Sequence, residues 1–253
     1  MRDIPFKVVI PARYASTRLP AKPLIDLGGR PMVIRVAENA RQSGAEEILI
    51  ATDHPAILEA AAEYGHEAIL TAENHASGTD RIAEVAAFKG WPPDTLVVNA
   101  QGDEPSLPPD MINAAASALA DSGADMATLA HPIADAAEFF NPNVVKVVCD
   151  RQGNALYFSR APVPYARDAF AKSRETLPPD MKALRHIGLY AYRASFLHAY
   201  GQLERSPLEE SESLEQLRAL WHGYRIHVLE IDHPLPPGVD TKEEAERMRQ
   251  RFA

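Results

Sequence analysis

The stretch Thr95-Leu96-Val97-Val98-Asn99-Ala100 runs directly into Gln101-Gly102-Asp103-Glu104-Pro105. A short, nearly all-apolar run with a β-branched centre predicts a strand covered on both faces, as in a parallel sheet with helices on either side. The polar turn after it sits where such sheets place their ligands, beyond the carboxyl ends of strands. Upstream, a helix capped by Thr79 is expected to run to about Phe88. Before it come a strand over Glu67–Thr71, a helix over Pro55–Tyr64 closed by Gly65, and a strand over Ile48–Thr52. Further back, Pro31 suits the first position of a helix in which Val33, Val36, Ala37 and Ala40 keep the i, i+3, i+4, i+7 spacing, and Gly44 ends it. Lys7–Ile10 is the first strand. Downstream, Pro108–Ser122 predicts a helix and Met126–Ala130 a strand. The β-α-β-α rhythm predicts an α/β fold, a doubly wound and mainly parallel sheet.

Past residue 133 the rhythm changes. Val144–Cys149 and Ala155–Ser159 predict a hairpin, Ala161–Asp180 is proline-rich, and Ile187–Tyr192 predicts another strand. A helix over Ser211–Trp221, a strand over Arg225–Glu230 and a helix over Thr241–Phe252 complete the chain. Residues 1–253 are therefore expected to form one domain, with 133–200 as a β-rich insertion on the parent sheet. Trp91 and Trp221 are expected to serve packing.

The 253 residues are 46% hydrophobic and 24% charged, an ordinary globular composition that suffices for a core without staples. The net charge of -9 disfavours general binding to a polyanionic duplex, so no nucleic-acid partner is expected. Cys149 is the single cysteine, which rules out an intrachain disulfide and fits a reducing compartment. Neither Met1–Ile10 nor any later segment has the make-up of a signal peptide or membrane span, so no membrane partner is expected.

Several segments carry candidate chemistry. Residues 11–23, PARYASTRLPAKP, follow the first strand and gather Arg13, Arg18 and Lys22 in an acidic protein. Convergent cations among small residues suit a polyphosphate, while the glycine frameworks of nucleoside-triphosphatase and dinucleotide loops are absent. A solvated basic loop is the alternative. Asp103, with Gly102 allowing close backbone approach, is placed to hold Mg²⁺ against phosphate oxygens; a plain turn is the alternative. Asp240 or Thr241, followed by Glu243 and Glu244, forms a good helix cap, yet Asp240 could supply a second metal carboxylate if the sheet brings it beside Asp103. Ser77 lies in a Ser-Gly-Thr loop that opens a helix, where hydroxyls and free N–H groups could read a base or ribose; ordinary capping is the equal alternative. Further on, Arg160, His186, Tyr190, Glu215 and Gln216 offer what a polyhydroxylated acid needs: Arg or His for the carboxylate, Glu or Gln for the hydroxyls. For Glu215 and Gln216, a solvated helix face is the alternative. None of the nine histidines has zinc-ligand spacing.

These segments, PARYASTRLPAKPL (11–24), ATD (51–53), SGTDR (77–81), QGDEP (101–105), NPNVVKVV (141–148), ALYFSR (155–160), RHIGLYAY (185–192), LEQLRAL (214–220) and GVDT (238–241), resemble the 3-deoxy-manno-octulosonate cytidylyltransferase family almost end to end. The first motif alone marks the wider sugar nucleotidyltransferases; the later ones narrow it. The resemblance implies CTP and Kdo as substrates, CMP-Kdo and diphosphate as products, and Mg²⁺ as cofactor. It also implies a cytoplasmic homodimer formed through the β-rich region and serving lipopolysaccharide synthesis. Carried onto this chain, it makes Arg13, Lys22, Asp103 and Asp240 catalytic, with both aspartates on the metal. Arg18, Ser77 and Gln101 join Arg13 and Lys22 on the nucleotide. Arg160, His186, Tyr190, Glu215 and Gln216 line the sugar-acid pocket. One departure is Glu209–Leu214, Glu-Glu-Ser-Glu-Ser-Leu, where a more apolar pocket rim is expected. Amino-Kdo or sialic acid as acceptor, a glycosyltransferase with Asp-x-Asp, and a non-catalytic nucleotide-binding regulator are the alternatives.

Overall fold

All four residues of the strand Leu96–Asn99 are buried, and the reason lies on its two faces. Val97 belongs to one apolar core with Val9, Leu49 and Tyr192; Val98 belongs to another with Val8, Ile10 and Ile50. Alternating side chains thus feed opposite faces, and helices cover both. The computed structural model describes residues 4–16 and 19–252. Among these, the strands are β1 (Lys7–Ala12), β2 (Glu47–Thr52), β3 (Glu67–Leu70), β4 (Leu96–Asn99), β5 (Met126–Pro132), β6 (Lys146–Cys149), β7 (Ala155–Ser159), β8 (Leu184–Arg193) and β9 (Ile226–Glu230). The helices are α1 (Met32–Ala40), α2 (Pro55–Glu63), α3 (Gly78–Lys89), α4 (Pro109–Ser122), α5 (Ala136–Phe140), α6 (Arg167–Phe170), α7 (Ala194–Tyr200), α8 (Pro207–Glu212), α9 (Gln216–Trp221) and α10 (Lys242–Phe252), with a 3-10 turn at Lys22–Leu24. Helices α1, α2 and α4 bury their apolar stripes on the Val98 side; α3, α7 and α9 do so on the Val97 side.

The sheet order is β3-β2-β1-β4-β8-β5-β9, and the β6–β7 hairpin pairs onto β8. Strands β3, β2, β1 and β4 are mutually parallel, as are β5 and β9. Only β8 of that row runs antiparallel to its neighbours β4 and β5. The expected α/β architecture with a mainly parallel sheet is present.

The structure changes four details. The segment 133–200 does not stand wholly outside the parent sheet, because β8 lies near its middle, between β4 and β5. A smaller apolar cluster of Ile133, Phe139, Val144, Phe170 and Ala183 packs the rest of that segment. The helix expected over Ser211–Trp221 is two helices, because Ser213 takes a left-handed conformation (φ 52°) between α8 and α9. Ser77, not Thr79, caps α3, its side chain accepting from the Asp80 N–H. Trp221 is 56% exposed and Trp91 is buried, so only Trp91 serves the core.

Candidate active site

β1 ends at Ala12, and the loop beyond it is tied down by its neighbour strand. The Tyr14 N–H donates to Asp53 Oδ1 at 2.8 Å, and the Tyr14 ring stacks on His54 at 3.8 Å. The other Asp53 oxygen takes Arg81 Nη2 of α3 at 3.1 Å. One half-buried carboxylate therefore joins the cationic loop to the helix that opens at Ser77. Asp53 and Arg81 lie in quoted motifs, but nothing in their spacing along the chain indicates that they pair. Ala21, at φ 51°, turns the chain into the 3-10 turn and points Lys22 inward. Left-handed backbone at a non-glycine residue is uncommon and is retained where its surroundings require it.

Lys22 Nζ lies 2.6 Å from Asp103 Oδ2 and 2.9 Å from Asp240 Oδ1. The two aspartates, far apart in sequence, face each other across one ammonium. The cap question at α10 is settled by hydrogen bonds. Thr241 Oγ1 accepts from the Glu244 N–H, and Glu244 Oε2 accepts from the N–H groups of Thr241 and Asp240. This is a capping box, so Thr241 carries the cap and the Asp240 carboxylate turns to Lys22. The segment before α10 is held on the Asp103 turn by the Val239 N–H, which donates to the Asp103 carbonyl at 2.8 Å. Gly102 is required by packing: a Cβ there would stand 2.8 Å from the Pro11 carbonyl oxygen. Beside it, burial first and the Asp103 charge second push the Glu104 carboxyl up to about 7, with Lys22 opposing.

Two carboxylates that converge on one ammonium are also the donor chemistry a hard divalent cation takes, once the ammonium turns to another anion. Mg²⁺ is commonly bound by one or two carboxylates and completed by phosphate oxygens and water. Among the described residues no group of three or more His, Cys, Asp or Glu could hold a metal, so an ion between Asp103 and Asp240 would need phosphate or water oxygens to complete its shell.

A cavity of 490 Å³ opens at this point, a size usual for small-ligand sites. Arg13, Lys22, Ser77, Gln101, Asp103 and Glu215 are among the residues that line it. Arg13 and Ser77 thus share one cavity with Lys22 and Gln101. Arg18 lies outside the described residues.

Of the five sugar-acid candidates, Glu215 alone lines this cavity among the described residues. Its Oε1 accepts from Thr79 Oγ1 at 3.0 Å, and Thr79 is in turn 3.0 Å from the Tyr192 hydroxyl. Burial raises the Glu215 carboxyl above its usual range, against the pull of hydrogen bonds from Thr79 and Ser77. Two of the others connect to it through ring contacts: Tyr192 stacks on Tyr190, Tyr190 meets His186 at a tilt, and His186 meets Phe158 edge to face, on the strand that ends next to Arg160. Gln216 is buried and its Nε2 has no partner among the described residues, the kind of group a sugar hydroxyl satisfies. Neither Glu215 nor Gln216 is therefore a solvated helix position.

His186 does not suit the carboxylate role that sequence left open to it. Burial pushes its ring down to about 3, so it is neutral near pH 7. Its Nε2 lies 3.0 Å from Thr128 Oγ1, which also faces the carbonyls of Ile187 and Leu189 at 2.9 Å each. A hydroxyl has one proton, and the carbonyls require it. Nε2 is then the donor and Nδ1 an acceptor, suited to a sugar hydroxyl. The register shift between Thr128 and Leu129, which leaves Gly188 and Leu189 of β8 without partners on β5, accompanies the approach of those carbonyls to one threonine.

Arg160, the remaining cation of the set, donates from Nε to the Glu212 carbonyl at 2.7 Å and from Nη1 to the Pro142 carbonyl at 3.2 Å. Two carboxylates of the acidic stretch 209–214 turn inward, while Glu210 stays exposed. Glu209 pairs with buried Arg218 through two bonds of 2.6 and 2.8 Å, and Glu212 turns to Ser159 and Arg160.

The cytidylyltransferase family model matches residues 7–226 of the chain. The 3-deoxy-manno-octulosonate cytidylyltransferase of Herminiimonas arsenicoxydans is 58% identical over 247 residues, covering 98% of each chain. A solved CMP:2-keto-3-deoxy-manno-octonic acid synthetase complexed with CTP superposes with a TM-score of 0.87 at 41% identity, again over 98% of each chain. HddC from Yersinia pseudotuberculosis, complexed with GMP-PN, shares the fold alone: TM-score 0.64 at 15% identity, over 98% of this chain and 100% of the other.

Proposed function

The chain belongs to the cytidylyltransferase family, in its 3-deoxy-manno-octulosonate branch, and we propose that the 490 Å³ cavity is where it joins CTP to Kdo. The reaction is CTP + Kdo → CMP-Kdo + diphosphate. The anomeric hydroxyl oxygen of Kdo bonds to the α-phosphorus, the bond from that phosphorus to the bridging oxygen breaks, and diphosphate leaves with the electron pair. The hydroxyl proton passes to solvent. The observation that carries the assignment is the pair Asp103 and Asp240 meeting at Lys22, at one side of the cavity that Glu215 also lines.

Each residue acts in a definite way. Arg13 and Lys22 pair with the triphosphate and offset the charge that builds on the departing diphosphate. Ser77, at the N-terminus of α3, presents a hydroxyl to the nucleotide, and Gln101 presents an amide to ribose or phosphate. Arg160 takes the Kdo carboxylate. His186 Nδ1, Glu215 and Gln216 hold its hydroxyls, with Tyr190 as the apolar wall behind them. Asp103 and Asp240 would hold Mg²⁺, which when bound neutralises phosphate charge and acidifies the attacking hydroxyl. Orientation and charge placement do most of this work, as is usual in phosphoryl-group chemistry.

The proposal extends to a homodimer and to supply of CMP-Kdo for lipopolysaccharide synthesis in the cytoplasm. The dimer is supported by large apolar side chains left open on neighbouring elements, Leu156 of β7 at 63% and Trp221 of α9 at 56% exposure. The location is supported by the single thiol, which suits a reducing compartment. No helix among the described residues is long and apolar enough to cross a membrane.

A diphosphate-release assay with CTP and a panel of sugar acids tests the assignment. Release with Kdo, and little with sialic acid or without acceptor, is expected. Preference for a different acid, or release that needs no acceptor, overturns it.

A further inference from the structure

Glu212 is the last residue of α8, directly before the left-handed Ser213. Its carboxylate accepts from Ser159 Oγ at 2.6 Å and from the Arg160 backbone N–H at 2.9 Å, while its carbonyl accepts from Arg160 Nε at 2.7 Å. One residue therefore grips Arg160 by both main chain and side chain. Arg160 Nη1 and Nη2 reach the carbonyls of Pro142 at 3.2 Å and Ser213 at 3.5 Å. A guanidinium has five N–H groups, so two stay available to an anion.

Behind Arg160 stands a second cation. Lys146 has no exposed surface, and its ammonium donates to the carbonyls of Val144 and Arg160 at 2.6 Å each and of Asn141 at 3.1 Å. It lies within Val144-Val145-Lys146-Val147-Val148, an apolar run where a charge is costly unless hydrogen-bonded. Burial lowers its affinity for a proton, and the nearby Glu212 charge restores part of it. Two cations and one carboxylate thus form a tight cluster with one positive charge in excess. A neutral sugar would leave that charge unmatched; a sugar acid balances it.

Resting on the assignment of Arg160 to the Kdo carboxylate, we propose that Glu212 is a positioning residue, which together with Lys146 fixes the Arg160 guanidinium for an anionic acceptor and so selects acids over neutral sugars. The position of Glu212 in the chain gives it reach: Ser213 and Leu214 alone separate it from Glu215 and Gln216. The same residue therefore sets the carboxylate end of the pocket relative to the hydroxyl end.

The test is a double-mutant cycle of Glu212→Ala and Arg160→Ala, with Glu212→Gln as the conservative variant, reading KM for Kdo, KM for CTP and Tm. Glu212→Ala is expected to raise KM for Kdo about 10-fold, the scale of one charge-assisted hydrogen bond, and to leave KM for CTP within about twofold. Glu212→Gln should show a smaller rise at unchanged Tm. In the Arg160→Ala background Glu212→Ala should add nothing, since both act on one contact. Equal movement of both KM values, or additive rises for Kdo, overturns the positioning role. If Arg160→Ala leaves KM for Kdo unchanged, the assignment of Arg160 itself fails, and that result is visible without reference to Glu212.

Discussion

Lys22 holds the site together at the scale of single residues. It is mostly buried, contacts both aspartates, and touches little of the apolar core. Lys22→Ala should lower kcat by about 100- to 1000-fold, the scale for losing one preorganised donor to a charged transition state. The fold should remain, so its thermal transition should stay cooperative; an unchanged kcat would contradict the assignment. His186 yields a prediction of a different kind. Its ordinary value is 6.5 and burial brings it to about 3, so between these values the unfolded chain binds a proton there that the folded chain does not. Stability from this group is therefore complete above about pH 6.5 and falls as pH drops toward 3. Urea denaturation at pH 7.5 and pH 5 should show a smaller acid loss in His186→Gln than in the unsubstituted protein. An equal loss in both would show that the ring is not held neutral.

At the scale of elements, the break between α8 and α9 decides where the pocket residues point. The apolar residues Leu214, Leu217 and Leu220 keep helical spacing, which is why one helix over Ser211–Trp221 is the natural expectation. Ser213 stops it with φ 52°, a conformation glycine tolerates and β-branched residues resist. Ser213→Gly should keep or raise Tm, whereas Ser213→Val should cost about 1–2 kcal/mol and raise KM for Kdo. Calorimetry and steady-state kinetics on the pair check both. The turn after β4 is constrained more tightly. Gly102→Ala places a methyl 2.8 Å from the Pro11 carbonyl oxygen, so β1 and the Asp103 turn must part. A loss of about 1–3 kcal/mol is expected, with a fall in kcat as Asp103 moves from Lys22. Normal stability and activity would show that the turn has slack.

At the scale of the whole molecule, the exposed Leu156 and Trp221 predict association. Light scattering should give twice the chain mass, and Trp221→Glu combined with Leu156→Glu should give a monomer. A dimer that survives both changes would place the interface elsewhere. The sheet imposes the longer-range arrangement: β8 enters between β4 and β5 and delivers His186 and Tyr190 from the segment that the change of rhythm reads as an insertion.

The alternation of apolar runs and amphipathic stretches determined the α/β sheet and the elements over 1–130, because periodicity and buried apolar runs are local properties of the chain. It also determined the candidate residues on either side of the cavity, because cations and carboxylates after strands are legible one residue at a time. Other features depended on tertiary structure. Asp240 reaches Lys22 beside Asp103 because the segment before α10 is hydrogen-bonded to the Asp103 turn, a contact between the middle of the chain and its C-terminal part. The pairing of Asp53 with Arg81, the burial of Lys146 and the grip of Glu212 on Arg160 join elements whose separation in sequence carries no record of their distance in space. The charge state of His186 was decided in the same way, since burial is set by what packs over a ring rather than by its neighbours in the chain.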